Sequence, residues 1–401
     1  MRRILLSAFA CNPTRGSESG NGWNWAKELT QKGYEVHCFT REIERKNIET
    51  ADKIDNLYFH YIKLPYGLES LYGRSQATMY LYYILWQWFL YRKTKVLHKK
   101  NKFDIAHHVT WGSLQLGSFI YKLNIPFIFG PAGGGQMAPE VFKKYFLQHW
   151  DSEIKREKIS NLLQKYNPAC RNMVRKAKVV ITSNIDTFNI VKKLGAKQAE
   201  LILDAALPDT FFPAVLPERK RSTKKFNLLW VGRFLPRKGI LLVLDVMARL
   251  KDYPDIAITV VGDGETKPEF LNAINRLGLQ KSVNWVGKVP YEKVKEYYAS
   301  HDAFLFTSLR DSCPAQLIEA MAYGLPVITL DLHGQAQIVR KDTGIKCTVK
   351  TVEGAIEQLK DAVLFFYNDP QKLEEFSKNA FAFAKQQNWN NKVSYITSRY
   401  Y

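Results

Sequence analysis

The most constraining feature of this sequence is an alternation that runs its course and then starts again. Short apolar runs at residues 3–10, 34–40, 57–64, 105–109, 127–129, 179–182 and 200–203 are separated by longer, more polar stretches, and the first of these, 22–31, reads as a helix. Apolar runs that alternate with helices are strands of a parallel sheet covered on both faces. From Phe211-Phe212-Pro213 to Lys225 the chain is rich in Pro, Lys and Arg and has no apolar period, which predicts a linker. The rhythm then resumes, with strands expected at 227–231, 256–261, 283–285, 303–307 and 327–330. Helices are expected between them at 239–250, 268–277, 291–300 and 314–323, and helical stretches at 352–367 and 370–387 close the chain. At 401 residues the chain exceeds what one hydrophobic core usually supports, so two α/β domains are expected, 1–212 and 213–385.

Several classes are excluded early. The apolar start, residues 3–10, is cut off by Asn12-Pro13-Thr14-Arg15-Gly16 and reads as a first strand rather than a signal peptide. No run approaches the roughly 18 apolar residues of a membrane span. The five cysteines (Cys11, Cys38, Cys170, Cys313 and Cys347) show neither metal-ligand spacing nor a disulfide framework, which predicts a cytoplasmic protein. A net charge of +20 favours phosphate-bearing or other polyanionic partners. One segment breaks the alternation: residues 79–91, dense in Tyr, Trp and Leu, run into the basic residues Arg92, Lys93, Lys95, Lys99 and Lys100. Two readings stand, a core helix or a helix lying on an anionic membrane surface.

The second half carries the more readable chemistry. A strand, a glycine turn and two cations five apart, Gly232-Arg233 to Lys238, suit a diphosphate at the carboxyl end of a parallel strand. Gly262-Asp263-Gly264 ends another strand where backbone can approach a ligand closely. Between Thr307 and Ile328 a strand leads into a loop with Asp311 and Cys313, and a helix opens near Pro314. The first N–H groups of that helix, at Ala315 and Gln316, are expected to face an anion. Glu319 lies one turn further along an otherwise apolar helix, where a carboxylate needs a partner. That partner is a ribose diol on one reading and a salt bridge on the other.

These motifs resemble the retaining glycosyltransferases of family 4, in glycosyltransferase group 1, with the GT-B fold: two Rossmann-like domains whose parallel sheets face across a cleft. The likeness is strongest from Leu228 to Gly344. It implies that Arg233 and Lys238 hold the donor diphosphate and that Asp311 and Glu319 match the family's pair of acids separated by seven residues. Glu319 would then bind the ribose and Asp311 a donor-sugar hydroxyl. The donor site would also include Gly262, Asp263, Cys313 and the amides of Ala315 and Gln316, with the base near Val286 to Val289. In the first half, Gly16-Ser17 stands where the family often has two glycines, and either His107 or His108 would contact the donor sugar. Residues 386–401 would pack back on the first domain.

Two departures matter: the first acid is Asp311 rather than Glu, and Pro314 replaces a glycine. The resemblance implies transfer of a hexosyl group, with retention, from a UDP- or GDP-linked sugar to a glycan or lipid-linked glycan. No cofactor, metal or nucleic acid is expected, and the site of action would be the cytoplasm or the inner face of the membrane. A Rossmann dehydrogenase is disfavoured because no Gly-x-Gly-x-x-Gly follows a strand. The alternative from another class is a non-catalytic GT-B-like protein held on a membrane or another polyanion by its charge, against which the intact Arg233, Lys238 and Glu319 argue.

Overall fold

The computed structural model describes residues 1–218 and 225–401, apart from the side chains of Ser17 and Gln76. It contains two compact units, each with its own core. The first unit holds β1 (Arg3–Ala8), β2 (Glu35–Arg41), β3 (Leu57–Ile62), β4 (Ile105–Thr110), β5 (Phe127–Ala132), β6 (Val179–Thr182) and β7 (Ala199–Leu201). They form one parallel sheet in the order β3-β2-β1-β4-β5-β6-β7. The second unit holds β8 (Phe226–Val231), β9 (Ile256–Val261), β10 (Val283–Gly287), β11 (Ala303–Phe306), β12 (Val327–Leu330) and β13 (Gly344–Cys347). They are also parallel, in the order β10-β9-β8-β11-β12-β13. In both sheets the chain winds outward in one direction and then in the other. Each therefore has a switch point, β1/β4 and β8/β11, the position where such sheets open a crevice at their carboxyl ends.

The units divide elsewhere than at the expected 212/213 boundary. The first comprises Met1–Gly135, Glu157–Asp204 and Trp389–Tyr401; the second comprises Gln136–Arg156 and Ala205–Asn388. Residues 136–156 group with the second unit because Phe142, Tyr145, Phe146 and Trp150 are buried in its core, and the Tyr145 hydroxyl donates to Asp245 Oδ2 at 2.6 Å. No shift in composition marks that excursion. Residues 205–212 follow for the same kind of reason: Leu207 N–H donates to Gln387 O at 2.9 Å and the Tyr323 hydroxyl to Phe211 O at 3.1 Å. The closing helix Trp389–Tyr400 joins the first unit through Trp389, Val393, Ile396 and Tyr400, all buried, and Lys178 Nζ donates to Tyr400 O at 2.8 Å.

Local differences have local causes. The first helix begins at Ser17, ahead of the expected start at residue 22, and runs to Gln31. Gly22 is there for packing, since a Cβ would lie 2.0 Å from Ala10 O. β13, a short edge strand with Lys346 in it, escaped notice because it is only partly apolar. The aromatic segment belongs to a helix, Gln76–Asn101, capped by reciprocal Ser75 and Thr78 hydrogen bonds. The core reading holds for Tyr82, Tyr83, Trp86 and Leu90, which are buried, while Leu81, Ile84 and Trp88 are exposed on the opposite side and Arg92 covers the Trp88 ring at 4.7 Å. No described helix is long and apolar enough to cross a membrane.

The turn after β9 sets the tightest constraint in the second unit. Gly262 has φ 142°, and a Cβ there would sit 1.8 Å from Gly232 O. Gly262→Ala is expected to cost about 1–3 kcal/mol, lowering the unfolding midpoint of this unit by roughly 2–4 °C per kcal/mol. Gly16→Ser, at a helix N-cap with open space around it, is expected to leave the midpoint within experimental error. Differential scanning calorimetry of the two variants checks both.

Candidate functional site

The loops that follow β8 and β11 flank the second switch point, and the charged residues singled out in the sequence converge there. Lys238 and Asp311 form an ion pair, Arg237 Nη1 lies 3.6 Å from Asp311 Oδ2, and the Ser308 hydroxyl donates to the same oxygen at 3.3 Å. Lys238 is buried and sits over the Phe306 ring. Gly239, next in sequence, has φ 67° and lies so close to Thr307 O that a Cβ would be 2.2 Å away. Glycine is therefore what lets the β8 loop press Lys238 against the β11 loop.

The electrostatics have one sign. Burial by itself would raise the Asp311 carboxyl, but Lys238 and Arg237 hold it below the ordinary range. Burial lowers the Lys238 ammonium, opposed by Asp311 and reinforced by Arg237 and the exposed Arg233. Lys238 is lowered first by burial and Asp311 by its cations, and with Lys238 and Arg237 facing one carboxylate and Arg233 nearby the cluster is short of negative charge. Arg310, behind it, is lowered to about 10 by burial and by Arg156, although its Nη2 donates to Glu153 at 3.1 Å. Arg237 was passed over in the sequence; the run Pro236-Arg237-Lys238 was its signal.

Pro314 is the N-cap of the helix Ala315–Ala322, with φ −71°, rather than its first residue. Ala315 and Gln316 occupy the first turn, where N–H groups lack partners within the helix. Glu319 is buried, and its protein partners are two hydroxyls rather than a salt bridge. The hydroxyls of Tyr291 and Tyr298 donate to its two oxygens, each at 3.0 Å. Burial raises its carboxyl and the two phenols oppose that. The tyrosines stand seven apart on the helix Tyr291–Ser300, a spacing that puts both on one face. Val289 is half-buried just before that helix. Asp263 makes a local turn, accepting from Gly264 N–H at 2.8 Å, and Cys313 Sγ accepts from Ala205 N–H at 3.4 Å.

In the first unit both histidines named from the sequence are buried and hydrogen-bonded. His107 is fully buried, with Nε2 donating to Gly130 O at 2.7 Å and Nδ1 engaged by the Tyr401 hydroxyl. His108 is equally buried, with Nε2 3.1 Å from Trp111 O and Nδ1 2.8 Å from the Ser7 hydroxyl. Burial lowers them to about 3 and about 4, so both rings are neutral packing groups. Gly16 is the N-cap of the first helix with extended backbone, and the side chain of Ser17 lies outside the described residues. The residue that the sequence reading missed here is Glu18, beside them at the β1/β4 switch point. Its Oε1 accepts from Gly112 N–H at 3.0 Å, and burial raises its carboxyl to about 7.

The comparisons with known proteins agree with this geometry. Residues 214–383 match the family Glycosyl transferases group 1. That match lies wholly within the second unit. Among curated relatives, the phosphatidylinositol N-acetylglucosaminyltransferase GPI3 subunit of Saccharomyces cerevisiae is 25% identical over 46% of this chain, which spans only 42% of that protein's length. The N-acetyl-alpha-D-glucosaminyl L-malate synthase of Bacillus anthracis is 23% identical over 90% of this chain and 89% of its own. Among solved structures, sucrose-phosphate synthase from Thermosynechococcus elongatus superposes with a TM-score of 0.73 at 18% identity, covering 100% of this chain and 98% of that one. Anabaena HepE in complex with UDP and glucose superposes at 0.63 and 16% identity, with 100% of both chains covered. The chain has the GT-B fold.

Between about pH 4.5 and 7 the folded chain keeps Glu18 protonated where the unfolded chain does not. The native state then binds the extra proton, so stability from this group falls as pH rises through that window. Urea titrations at closely spaced pH are expected to show the decline for the first unit, and Glu18→Gln is expected to flatten it.

Proposed function

We propose that the chain transfers a hexosyl group from a nucleotide-diphosphate sugar to a glycan or lipid-linked glycan, with retention of configuration and without a metal, as a family 4 enzyme. The observation that carries this reading is the cation-rich cluster of Lys238, Arg237 and Arg233 around one carboxylate at the switch point of a group 1 domain. A diphosphate supplies the negative charge that cluster lacks. The presence of UDP in the similar HepE structure supports UDP as the nucleotide.

In the proposed reaction the bond between the anomeric carbon and the diphosphate oxygen breaks, and negative charge grows on the leaving group. Lys238, Arg233 and Arg237, with the N–H groups of Ala315 and Gln316, stabilise it. The acceptor hydroxyl adds on the face the diphosphate leaves, and its proton passes to the departing diphosphate oxygen. Glu319, held by Tyr291 and Tyr298, is left with lone pairs for the two ribose hydroxyls. Asp311 receives a sugar hydroxyl as the diphosphate draws Lys238 away from it.

Thermal unfolding with UDP, GDP and ADP in EDTA tests the donor. At a hundred times its dissociation constant the right nucleotide is expected to stabilise the second unit by about 2.7 kcal/mol. The shift is expected to vanish in Lys238→Met and to shrink in Glu319→Gln. No shift with any nucleotide in the wild type would overturn the assignment.

We also propose that the exposed side of the helix Gln76–Asn101 rests on an anionic membrane at the inner face, where a lipid-linked acceptor is presented. Leu81, Ile84 and Trp88 would enter the headgroup layer while Arg92, Lys95 and Lys99 meet anionic lipid. Sedimentation with phosphatidylglycerol vesicles is expected to pull down the wild type at low salt and to release it at high salt. Trp88→Glu is expected to bind far less, and equal binding by the two would overturn the proposal.

A further inference from the structure

The first unit contains a cavity of about 290 Å³ that the transfer chemistry does not use. Its lining is Glu42, Ile43, Glu69, Tyr72 and Tyr82. Glu42 directly follows the last residue of β2, Glu69 and Tyr72 belong to the connection leaving β3, and Tyr82 is on the helix that connection enters. The cavity therefore opens at the carboxyl ends of β2 and β3, to one side of the β1/β4 switch point.

Its chemistry is unlike that of the rest of the chain. In a protein of net charge +20 the lining holds two carboxylates and no lysine or arginine. Two cations stand nearby: Arg45 pairs with Glu42 at 2.7 Å, and Arg41 is buried beneath the Tyr72 ring at 4.4 Å, where its Nη2 donates to Glu44 at 2.6 Å. Hydrogen bonding to Arg45 keeps Glu42 ionised. The volume sits at the lower end of the roughly 300–1,000 Å³ typical of small-molecule sites, which suits a ligand of about one ring.

The polar groups are fixed before any ligand arrives. Glu69 accepts from Leu64 N–H at 2.7 Å through one oxygen and from the Tyr82 hydroxyl at 2.9 Å through the other, and each oxygen keeps a further lone pair. Tyr72 is held between Arg41 and the edge of Tyr82, yet 39% of its surface is open. A rigid carboxylate that takes two adjacent hydroxyl donors, beside an open aromatic ring and the apolar Ile43, matches one neutral pyranose ring.

We infer that this cavity binds a single neutral pyranose, and, on the transferase reading above, that this is a sugar unit of the acceptor glycan. Tyr72 stacks on the C–H face of the ring, and Glu69 and Glu42 accept its hydroxyls.

Saturation-transfer NMR tests this on the full chain, with excess UDP present so that the donor site is filled. The probes are methyl α-D-glucopyranoside, methyl α-D-galactopyranoside and methyl N-acetyl-α-D-glucosaminide, with putrescine as the cationic comparison. Transfer to the ring protons of at least one glycoside is expected in the wild type and in Tyr72→Phe, and its loss in Tyr72→Ala. Because Tyr72 also covers Arg41, a second variant, Ile43→Trp, fills the cavity from a position that is 63% exposed and is expected to abolish transfer with an unchanged unfolding midpoint. No transfer to any glycoside in the wild type, undiminished transfer in Ile43→Trp, or transfer to putrescine alone would overturn the inference. Glycoside binding without any stabilisation by UDP in the same samples would overturn the transferase reading and leave the pyranose site standing.

Discussion

The buried pair of Lys238 and Asp311 is the interaction around which the second unit is organised. A lysine with so little exposure is costly to ionise unless a carboxylate stands against it. Keeping the two together requires the loops after β8 and β11 to meet, which in turn requires Gly239 to let one backbone press on the other. The order of strands supplies the rest, since only β8 and β11 are neighbours whose chains leave in opposite directions. Two further arginines then over-neutralise the single acid. A site built this way is stable enough to persist and still electrically incomplete, which is the condition for binding an anion.

Glu319 illustrates how a carboxylate is held in an apolar helix without a counter-ion. Two phenols, one fully buried, each satisfy one oxygen. Phenols stabilise the charge less than an ammonium would, so burial still dominates and the carboxyl is raised. The two acids of the site thus sit in opposite environments. Asp311 is kept ionised by cations, and Glu319 is held by neutral donors that leave room for further hydroxyls. That contrast suits one acid to the charged end of a ligand and the other to its polyol end.

The sheets were legible because burial on both faces imposes a continuous apolar run, which survives in sequence as a local pattern. The cation cluster was legible because Arg233, Lys238 and Asp311 lie in turns that directly follow strands, where side chains must reach the carboxyl edge. The packing of the histidines was not, because the carbonyl of Gly130, the hydroxyl of Ser7 and Tyr401, which hold their ring nitrogens, come from remote parts of the chain. Nor was the excursion of residues 136–156 into the second unit visible, because amphipathic aromatic segments look alike whichever core receives them.

The sequence by itself determined the strand–helix alternation, the two parallel sheets and the loops that carry charge, since each is written in the period and chemistry of neighbouring residues. Tertiary structure alone decided which unit owns residues 136–156, that tyrosines rather than a salt bridge satisfy Glu319, and that two glutamates and two tyrosines line one cavity in a strongly basic chain. The physical reason is range: strand and helix patterns follow from interactions a few residues apart. Partners for buried polar groups are chosen among residues that only folding brings within hydrogen-bond reach.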